Sequence, residues 1–313
     1  KEAFASAKAM EIIMKEHEIT GLISGIKRME IHDGDGLRTT VFFKGCPLRC
    51  IWCHNPESIS YEPQLAVFDE KCIKCGTCSS VCPNDAISPI LQGTSVLRDK
   101  CIGCFACGEE CPSGALVGYG TVYTVDEMYR KVMIDVPFFA GGNGGVTLSG
   151  GECLTQPDFA VSLAKKLFES GISVDIDTCG YVKREVFERI MRFTDTFLFD
   201  VKAVDPEIHR RCTGRDNQTI LDNLRFLCSN GCRVEIRYPL VVGFNDGECE
   251  RIAELLAGMN GIVGVKVLRY HNYAASRYTA LGMSDTLPPP LTTDEAVEGA
   301  REVFVRHGIR VLI

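Results

Sequence analysis

The sequence predicts an α/β protein, in which a partial, TIM-like (β/α)6 barrel is interrupted by a small cysteine-rich domain. From residue 121 onward, strand-like apolar runs alternate with helical patterns. This alternation predicts a parallel sheet built by right-handed crossovers. Between residues 61 and 119, two runs of four cysteines follow the first repeat. We therefore predict a barrel made of residues 21–60 and 120–313, an insert at 61–119 and an N-terminal extension at 1–20.

Composition and charge restrict the class of protein. The chain has 313 residues, of which 45% are hydrophobic and 24% charged, as is typical of globular proteins. The net charge of −7 and the absence of a long basic run argue against a nucleic-acid partner. No apolar run approaches the ~20 residues of a membrane span, so no membrane association is expected. Seventeen cysteines, many at metal-cluster spacings, indicate reduced thiols and hence a cytoplasmic protein.

The predicted elements follow one another along the chain. A helix is expected over residues 1–18, then a strand over 22–31, a turn with two Asp-Gly pairs and the first barrel strand over 38–44. Further strands are predicted at 146–148, 172–176, 196–201, 233–240, 262–270 and 309–312. Helices are predicted at 125–136, 157–170, 184–193, 217–229, 248–256 and 293–307. Functional residues are expected at the carboxyl ends of the strands.

The loop after the first barrel strand carries the spacing CxxxCxxC, formed by Cys46, Cys50 and Cys53. Three such thiolates can hold an iron–sulfur cluster and leave one iron without a protein ligand, which makes that iron a reactive site. A zinc knuckle or scattered core cysteines are the alternatives. A knuckle needs a fourth ligand, and the adjacent His54 is too close to complete a tetrahedron. The spacing therefore favours an iron–sulfur cluster.

The insert contains the pattern CxxCxxCxxxCP twice. This pattern is the signature of bacterial two-cluster ferredoxins, in which the fourth cysteine of each run ligates the other cluster. The sequence therefore predicts a ferredoxin-like domain with two 4Fe–4S clusters. One cluster is assigned to Cys72, Cys75, Cys78 and Cys111, and the other to Cys101, Cys104, Cys107 and Cys82. Five other cysteines have no partner at ligand spacing and are predicted to be structural: Cys179, Cys212, Cys228, Cys232 and Cys249.

Polar residues follow the later strands, where barrel enzymes carry their chemistry. The glycines of Ser149-Gly150-Gly151-Glu152 let the backbone approach a ligand closely, although a simple glycine-rich turn is the alternative. Asp177-Thr178 and Asp200-Val201-Lys202 end two strands, and carboxylates there are costly unless they are paired or bind a cation. An Asp–Lys pair without a role is the alternative. A fixed guanidinium at Arg237 suits carboxylate or ribose contacts.

Residues 42–58, FFKGCPLRCIWCHNPES, resemble the radical S-adenosylmethionine (SAM) superfamily. Within it, they are similar to the glycyl-radical-enzyme activating enzymes, such as that of pyruvate formate-lyase. The resemblance extends from about Gly21 to the C-terminus. It implies that the open iron binds the amino and carboxylate groups of SAM and that the reduced cluster cleaves SAM to methionine and a 5′-deoxyadenosyl radical. The radical then removes a hydrogen atom from a glycine of a partner glycyl radical enzyme.

The resemblance also implies roles for individual residues. Trp52 and His54 lie with Cys53 beside the SAM-binding cluster, and residues 149–152 bind the methionine amino group. The SAM carboxylate is held at Asp177, Thr178 and residues 200–202, partly through a monovalent cation. Asp200 and Lys202 also face the incoming glycine loop. Further contacts are expected from Arg237, from His271 near the adenine and from His209 to the partner's loop.

The leading hypothesis is therefore an activating enzyme with one SAM-binding cluster and two ferredoxin-type clusters. A flavodoxin or ferredoxin-type protein is the expected electron donor. One alternative is a radical SAM enzyme that acts on its own small molecule or on another peptide. The other alternative is an electron-transfer iron–sulfur protein whose barrel is only a scaffold. Such a carrier would need neither an open iron nor carboxylates at the strand ends.

Overall fold

The computed structural model describes residues 18–90, 93–139 and 144–313. The helix predicted over residues 1–18 lies outside the described residues except for its last residue. The described residues form thirteen strands: β1 (Thr20–Glu30), β2 (Arg38–Phe43), β3 (Gln64–Val67), β4 (Ile87–Ile90), β5 (Gly93–Val96), β6 (Leu116–Tyr119), β7 (Thr121–Thr124), β8 (Gly145–Gly150), β9 (Ser173–Thr178), β10 (Thr196–Asp200), β11 (Val234–Leu240), β12 (Ile262–Arg269) and β13 (Val311–Leu312).

Helices connect most of these strands. The described residues form eleven α-helices: α1 (Thr77–Ser80), α2 (Ala106–Glu109), α3 (Val125–Met133), α4 (Val136–Phe139), α5 (Pro157–Glu169), α6 (Arg184–Ile190), α7 (Pro206–Thr213), α8 (Gln218–Ser229), α9 (Cys249–Ala257), α10 (Ala275–Ala280) and α11 (Asp294–Arg306). In the described part of the chain, no helix combines the length and the apolar character that a bilayer span requires.

A nine-stranded sheet forms the centre of the protein, in the order β13-β12-β11-β10-β9-β8-β2-β1-β7. Strands β2 and β8 to β13 are parallel, and each pairs with its neighbour in chain order. The prediction of an α/β protein with a central parallel sheet is confirmed. Strand β1 pairs antiparallel with β2 and with β7, and the sequence did not predict this extension. All six carboxyl ends of the long parallel strands therefore lie along one edge.

The main core lies between the sheet and the helices that cross over it. Each crossover helix contributes buried apolar side chains at helical spacing, among them Phe159, Phe187, Leu224, Ile252 and Phe304. Local signals set the helix ends. The side chain of Thr124 accepts a hydrogen bond from the backbone of Glu127 and the side chain of Glu127 accepts one in return, which begins α3 as a capping box. These apolar stripes explain why the sequence predicted the long helices well.

Helix α7 was not predicted from the sequence. It begins at Asp205, whose carboxylate accepts hydrogen bonds from two backbone N–H groups, with Pro206 at its first position. It ends at Gly214, which adopts a φ of 77°. These end signals were present in the sequence, but the helix has only eight residues. Helix α10 is shorter still and was also missed.

The insert forms a layer of its own. Strands β3 and β6 pair antiparallel, and β4 and β5 form a second two-stranded sheet. Leu65, Ile87, Cys107 and Leu116 form a small buried cluster, with several other cysteines packed against it. The sequence placed no strands in this region because each has only four residues.

A buried ion pair crosses the opposite, amino-terminal edge of the sheet. Arg38 Nη1 lies 3.2 Å from Asp175 Oδ2, and both side chains are almost fully buried. The guanidinium also donates to Thr147 Oγ1 at 2.8 Å and to Val146 O at 2.9 Å. Burial raises the pKa of Asp175 to about 7, and Arg38 opposes this shift. The pair links three parallel strands at a point remote from the carboxyl edge.

Replacing Arg38 by alanine should lower the free energy of unfolding by roughly 3–5 kcal/mol, because the change leaves Asp175 buried without its partner. Anaerobic urea titration followed by circular dichroism measures the change. Arg189→Ala is the matched control, since Arg189 pairs with Asp158 at 2.6 Å on the surface. The control should change stability by about 0–1 kcal/mol. Equal effects of the two substitutions would contradict the prediction.

Candidate active site

The loop that carries the three closely spaced cysteines begins where β2 ends. We call residues 45–54 the cysteine loop. Gly45 N donates to Ser58 O at 2.8 Å and Cys46 N donates to Ile59 O at 3.1 Å. These bonds hold residues 58 and 59 alongside the start of the loop. Gly45 has a φ of 106°, and a Cβ there would lie 2.4 Å from the ring of Tyr61. Glycine is therefore required at this turn.

Helix α7 holds the middle of the cysteine loop. Arg49 N donates to Thr213 O at 2.8 Å, and Ile51 N donates to Cys212 O at 3.0 Å. Trp52 is buried in a small cluster with Cys212, Val241 and Tyr270. The predicted site residue Trp52 thus anchors the loop to the loops that follow two other strands.

The three loop thiols lie close enough to influence one another. Burial raises the pKa of Cys50 and Cys53, that of Cys53 to about 12, and the Lys202 ammonium opposes both shifts. Such a cation favours the thiolates that a cluster requires. In the described residues, no three His, Cys, Asp or Glu side chains are close enough to hold a single metal ion. The donor set, three thiols from one loop beside a cation, fits an iron–sulfur cluster.

Cys179 lies beside this set, which the sequence did not indicate. Its thiol donates a hydrogen bond to Cys46, and this bond lowers the pKa of Cys46. The residue follows the end of β9, whereas Cys46 follows β2. The sequence held one signal for this position, since Cys179 comes directly after the strand-end pair at 177–178.

The two glycines of the motif at residues 149–152 lie against the base of the cysteine loop. A Cβ on Gly150, which has a φ of 118°, would lie 2.2 Å from Phe43 N and O. A Cβ on Gly151 would lie 2.4 Å from Gly45 O. Gly151 N donates to Phe43 O and Glu152 N donates to Gly45 O, both at 2.9 Å. The glycines therefore permit a backbone-to-backbone contact between the ends of β2 and β8.

Glu152 is completely buried and its carboxylate is engaged by the protein itself. Oε1 accepts from Leu154 N at 3.0 Å, and Oε2 accepts from Thr178 Oγ1 at 2.8 Å and from Cys179 N at 2.7 Å. Burial raises its pKa, and these hydrogen bonds oppose the shift. The side chains of Glu152 and Thr178 thus connect the loops after β8 and β9. The Val201 side chain lies in the main core, so only its backbone borders the site.

Two carboxylates and a lysine occupy the ends of β9 and β10. Ser149 Oγ donates to Asp177 Oδ2 at 2.6 Å, and the Lys202 ammonium donates to Asp200 Oδ2. Burial raises the pKa of Asp177 to about 6, Arg237 opposes this shift, and the nearby Asp200 adds to it. For Lys202, burial disfavours the charged form, but Asp200 and the thiols outweigh burial and raise its pKa. Lys202 is therefore charged at neutral pH.

Arg237 lies among several acidic groups. Its Nη1 is 3.7 Å from Asp177 Oδ1 and 3.6 Å from Asp33 Oδ1, and its Nε is 3.5 Å from Glu235 Oε1. Its Nη2 donates to His32 O at 2.9 Å. Sequence reasoning did not assign Asp33 to the site. The available signal was a carboxylate in the glycine-rich turn just before the first barrel strand.

The two predicted histidines stack on each other at the mouth of the site. The rings of His54 and His271 lie 4.1 Å apart, and the His271 ring stacks on Tyr273 at 4.2 Å. His54 Nε2 donates to His271 O at 2.7 Å. Burial lowers the pKa of His54 to about 4, so it is neutral at pH 7. His271 Nδ1 is buried and has no hydrogen-bond partner in the described residues.

The expectation that His209 contacts the partner's loop is wrong. Its side chain, on α7, is 1% exposed, and Nδ1 lies 2.7 Å from Arg215 O, just beyond the end of the helix. A buried ring with a backbone partner cannot contact an incoming loop. His209 instead stabilises the turn that follows α7.

In the insert, cysteines distant in sequence lie together. One cavity is lined by Leu65 and by four of the cysteines, namely Cys82, Cys101, Cys104 and Cys107. Burial raises the pKa of Cys107 to about 11, and the other three cysteines of this group add to the shift. Cys75 interacts electrostatically with Cys111, which belongs to the other run.

Comparisons with known proteins agree with this arrangement. The family model of the radical SAM superfamily matches residues 40–256. The trans-4-hydroxy-L-proline dehydratase activating enzyme of Clostridioides difficile is 43% identical over 82% of this chain and 86% of its own length. The choline trimethylamine-lyase activating enzyme of Oleidesulfovibrio alaskensis is 40% identical over 85% and 88%. The indoleacetate decarboxylase activating enzyme of Tractidigestivibacter scatoligenes is 34% identical over 96% and 99%.

The chain therefore belongs to the radical SAM superfamily and, within it, to the activating enzymes of glycyl radical enzymes. Membership of this superfamily implies a 4Fe–4S cluster and SAM as its cofactors.

Replacing Gly151 by alanine should displace the cysteine loop, because the new Cβ would meet the carbonyl oxygens of Gly45 and Ser58. We expect SAM cleavage to fall by about a hundredfold, the effect of a displacement of ~1 Å. The measurements are 5′-deoxyadenosine production and iron content. Gly299→Ala in α11 is the matched control, since its Cβ would meet no atom within 4 Å. Wild-type cleavage by the Gly151 variant would contradict the prediction.

Proposed function

We propose that this protein activates a partner glycyl radical enzyme by generating a radical on one of the partner's glycines. The observation that carries the proposal is the position of the cysteine loop, which lies beside the close-packed glycines and acidic groups at one edge of the sheet. The identities of 34–43% to activating enzymes support the same conclusion. The cysteine loop, the glycines and the acidic groups all lie at the carboxyl ends of the strands, where α/β proteins carry their active sites. We further propose that the sheet is the wall of a partial barrel.

In this proposal, Cys46, Cys50 and Cys53 hold the SAM-binding cluster. The reduced cluster, when bound, would supply the one electron for the reductive cleavage of SAM, and the 5′-deoxyadenosyl fragment would then take a hydrogen atom from the glycine. The backbone of residues 149–151 holds the methionine amino group next to the loop. Glu152 and Thr178 act as positioning residues, because their side chains are engaged with each other. The neutral His54 and the His271 ring border the nucleoside.

The charge of the site suits a cationic ligand. Asp33, Asp177, Asp200 and Glu235 surround only two cations, Lys202 and Arg237. SAM brings a sulfonium and an ammonium group, which offset the excess of carboxylates. We propose that a monovalent cation between Asp177 and Asp200 helps to hold the SAM carboxylate. A shared cation would let both neighbouring carboxylates stay ionised, because it would offset the repulsion between their charges.

We propose that the insert is a ferredoxin-like domain, spanning residues 61–119, that carries two 4Fe–4S clusters. The joint lining of one cavity by Cys82 and three cysteines of the following run supports the exchanged fourth ligand. The clusters would accept electrons from a flavodoxin or ferredoxin-type donor and pass them to the cysteine loop. Because this use of cysteines requires reduced thiols, we also propose a cytoplasmic location.

Changing Cys46, Cys50 and Cys53 together to alanine should abolish 5′-deoxyadenosine production and leave the clusters of the insert in place. Iron content and the electron paramagnetic resonance (EPR) spectrum of the reduced protein measure the clusters. The matched control replaces Cys228, Cys232 and Cys249, which also lie in the barrel but away from the site. If the first variant still cleaves SAM, the assignment of the cysteine loop is wrong.

A peptide that carries the glycine motif of the partner glycyl radical enzyme should bind more tightly when SAM is present. We expect roughly a tenfold difference in Kd, a usual size for coupling between two ligands. Asp200→Asn should reduce this coupling, because in this proposal Asp200 would face both the SAM carboxylate and the glycine loop. Asp222→Asn, at an exposed position on α8, is the control. Absence of coupling, together with SAM turnover on an unrelated small molecule, would favour the small-molecule alternative.

A further inference from the structure

Helix α10 lies between the insert and the cysteine loop and contacts both. The Tyr278 hydroxyl donates to Cys53 O at 3.2 Å. At the carboxyl end of the helix, Ala280 and Leu281 pack on Ala66 of β3. One short helix therefore connects the backbone of a proposed cluster ligand to the insert.

Arg98 spans the same contact from the side of the insert. Its Nη1 donates to Leu65 O at 2.9 Å, and its Nη2 donates to Ala280 O at 3.2 Å. A Cβ on Gly282 would lie 2.8 Å from Arg98 Nε, so the end of α10 also packs against the guanidinium. Leu65 itself lines the cavity formed with Cys82, Cys101, Cys104 and Cys107. Arg98 thus ties this cavity to α10.

A second chain of contacts leads from the same cysteines to the cysteine loop. A Cβ on Gly103 would lie 2.8 Å from Pro63 Cβ. A Cβ on Gly120 would lie 2.9 Å from both Pro63 Cα and Lys44 Cδ. Lys44 directly precedes the cysteine loop. The segment between Cys101 and Cys104 therefore lies at the base of the insert, next to the barrel.

The other cysteine set lies at the opposite end of the β3–β6 pair. Gln64 pairs with Tyr119 at the base, and Val67 pairs with Leu116 at the far end. Cys72 follows that far end and Cys111 precedes it. Next to Cys75, a Cβ on Gly76 would meet no atom within 4 Å, whereas a Cβ on the corresponding Gly103 would meet Pro63. This set therefore lies farther from the barrel than the first.

We propose that the two clusters of the insert act in a fixed order. The set of Cys82, Cys101, Cys104 and Cys107 forms the proximal site, whose cluster would pass one electron to the cluster held by the cysteine loop. The set of Cys72, Cys75, Cys78 and Cys111 forms the distal site, which receives that electron from a flavodoxin or ferredoxin-type donor. Each transfer oxidises one centre by one electron and reduces the next by one. Arg98 and Tyr278 are positioning residues that keep the proximal site close to the loop. This inference rests on the proposed function.

The first test compares Cys104→Ala with Cys75→Ala by EPR of the dithionite-reduced protein. The signal of the loop cluster is recognised because it changes when SAM is added. In the wild type, we expect this signal to be broadened by the spin of the proximal site. Cys104→Ala should remove the broadening, whereas Cys75→Ala should leave it. The opposite pattern would overturn the order of the two sites. This readout needs no partner enzyme and no SAM cleavage. The order of the two sites can therefore be disproved while the proposed function stands.

The second test keeps every cysteine. It therefore still tests the order of the two sites if each cysteine variant loses both clusters of the insert. Arg98→Ala should slow reduction of the loop cluster by reduced flavodoxin about tenfold in stopped-flow experiments. Reduction by dithionite, which reaches the loop directly, should keep its wild-type rate, and iron content should not change. Arg98→Lys should restore part of the rate, since an ammonium can still donate to a carbonyl oxygen.

Arg225→Ala is the matched control, because this exposed arginine of α8 lies outside the insert and the site. It should behave as the wild type with both reductants. Equal slowing with flavodoxin and dithionite in Arg98→Ala, or no slowing with either, would overturn the proposal.

Discussion

The close approach of Gly151 to Gly45 is the constraint on which the site depends. Two backbones meet where β2 and β8 end, and a single additional carbon atom on Gly151 would overlap two carbonyl oxygens. Hydrogen bonds from Gly151 N and Glu152 N then set the direction in which the cysteine loop leaves the sheet. The buried carboxylate of Glu152 extends this arrangement to β9, because it accepts from Thr178 and Cys179. These contacts hold the base of the cysteine loop, and the hydrogen bonds to α7 hold its middle.

The site contains more carboxylates than cationic side chains. Lys202 pairs with Asp200, Arg237 lies among three carboxylates, and both keep their charge despite burial. Breaking one such buried pair would leave an uncompensated charge, which is strongly destabilising. Burial raises the pKa of Asp177 and the nearby Asp200 adds to the shift, so a bound cation would relieve this cost. The acidic excess thus gives the site a preference for cationic ligands and opposes anionic ones.

Several contacts join the insert to the barrel. They include the packing of Ala66 on α10, the hydrogen bond from Arg98 to Ala280 O and the hydrogen bond from the Lys44 ammonium to Gln64 Oε1 at 2.9 Å. Burial lowers the pKa of Lys44 to about 8, and the nearby Glu57 opposes this shift. A junction of backbone acceptors and small side chains orients the insert without a large apolar interface. The fixed orientation is what would let the insert serve the cysteine loop.

The sequence by itself determined the class of fold, because periodicity and strand-end position are local properties of the chain. It also identified Cys46, Cys50 and Cys53, whose spacing alone carries the signal. The tertiary structure alone decided which strand ends meet. It brought Asp33 and Cys179 to the site, closed the carboxylate of Glu152 onto Thr178 and buried His209. It also placed α10 between the insert and the loop. These features depend on contacts between different strand ends, 26 positions apart for Glu152 and Thr178 and 205 for His32 and Arg237, or on short helices, and neither leaves a periodic pattern in the sequence.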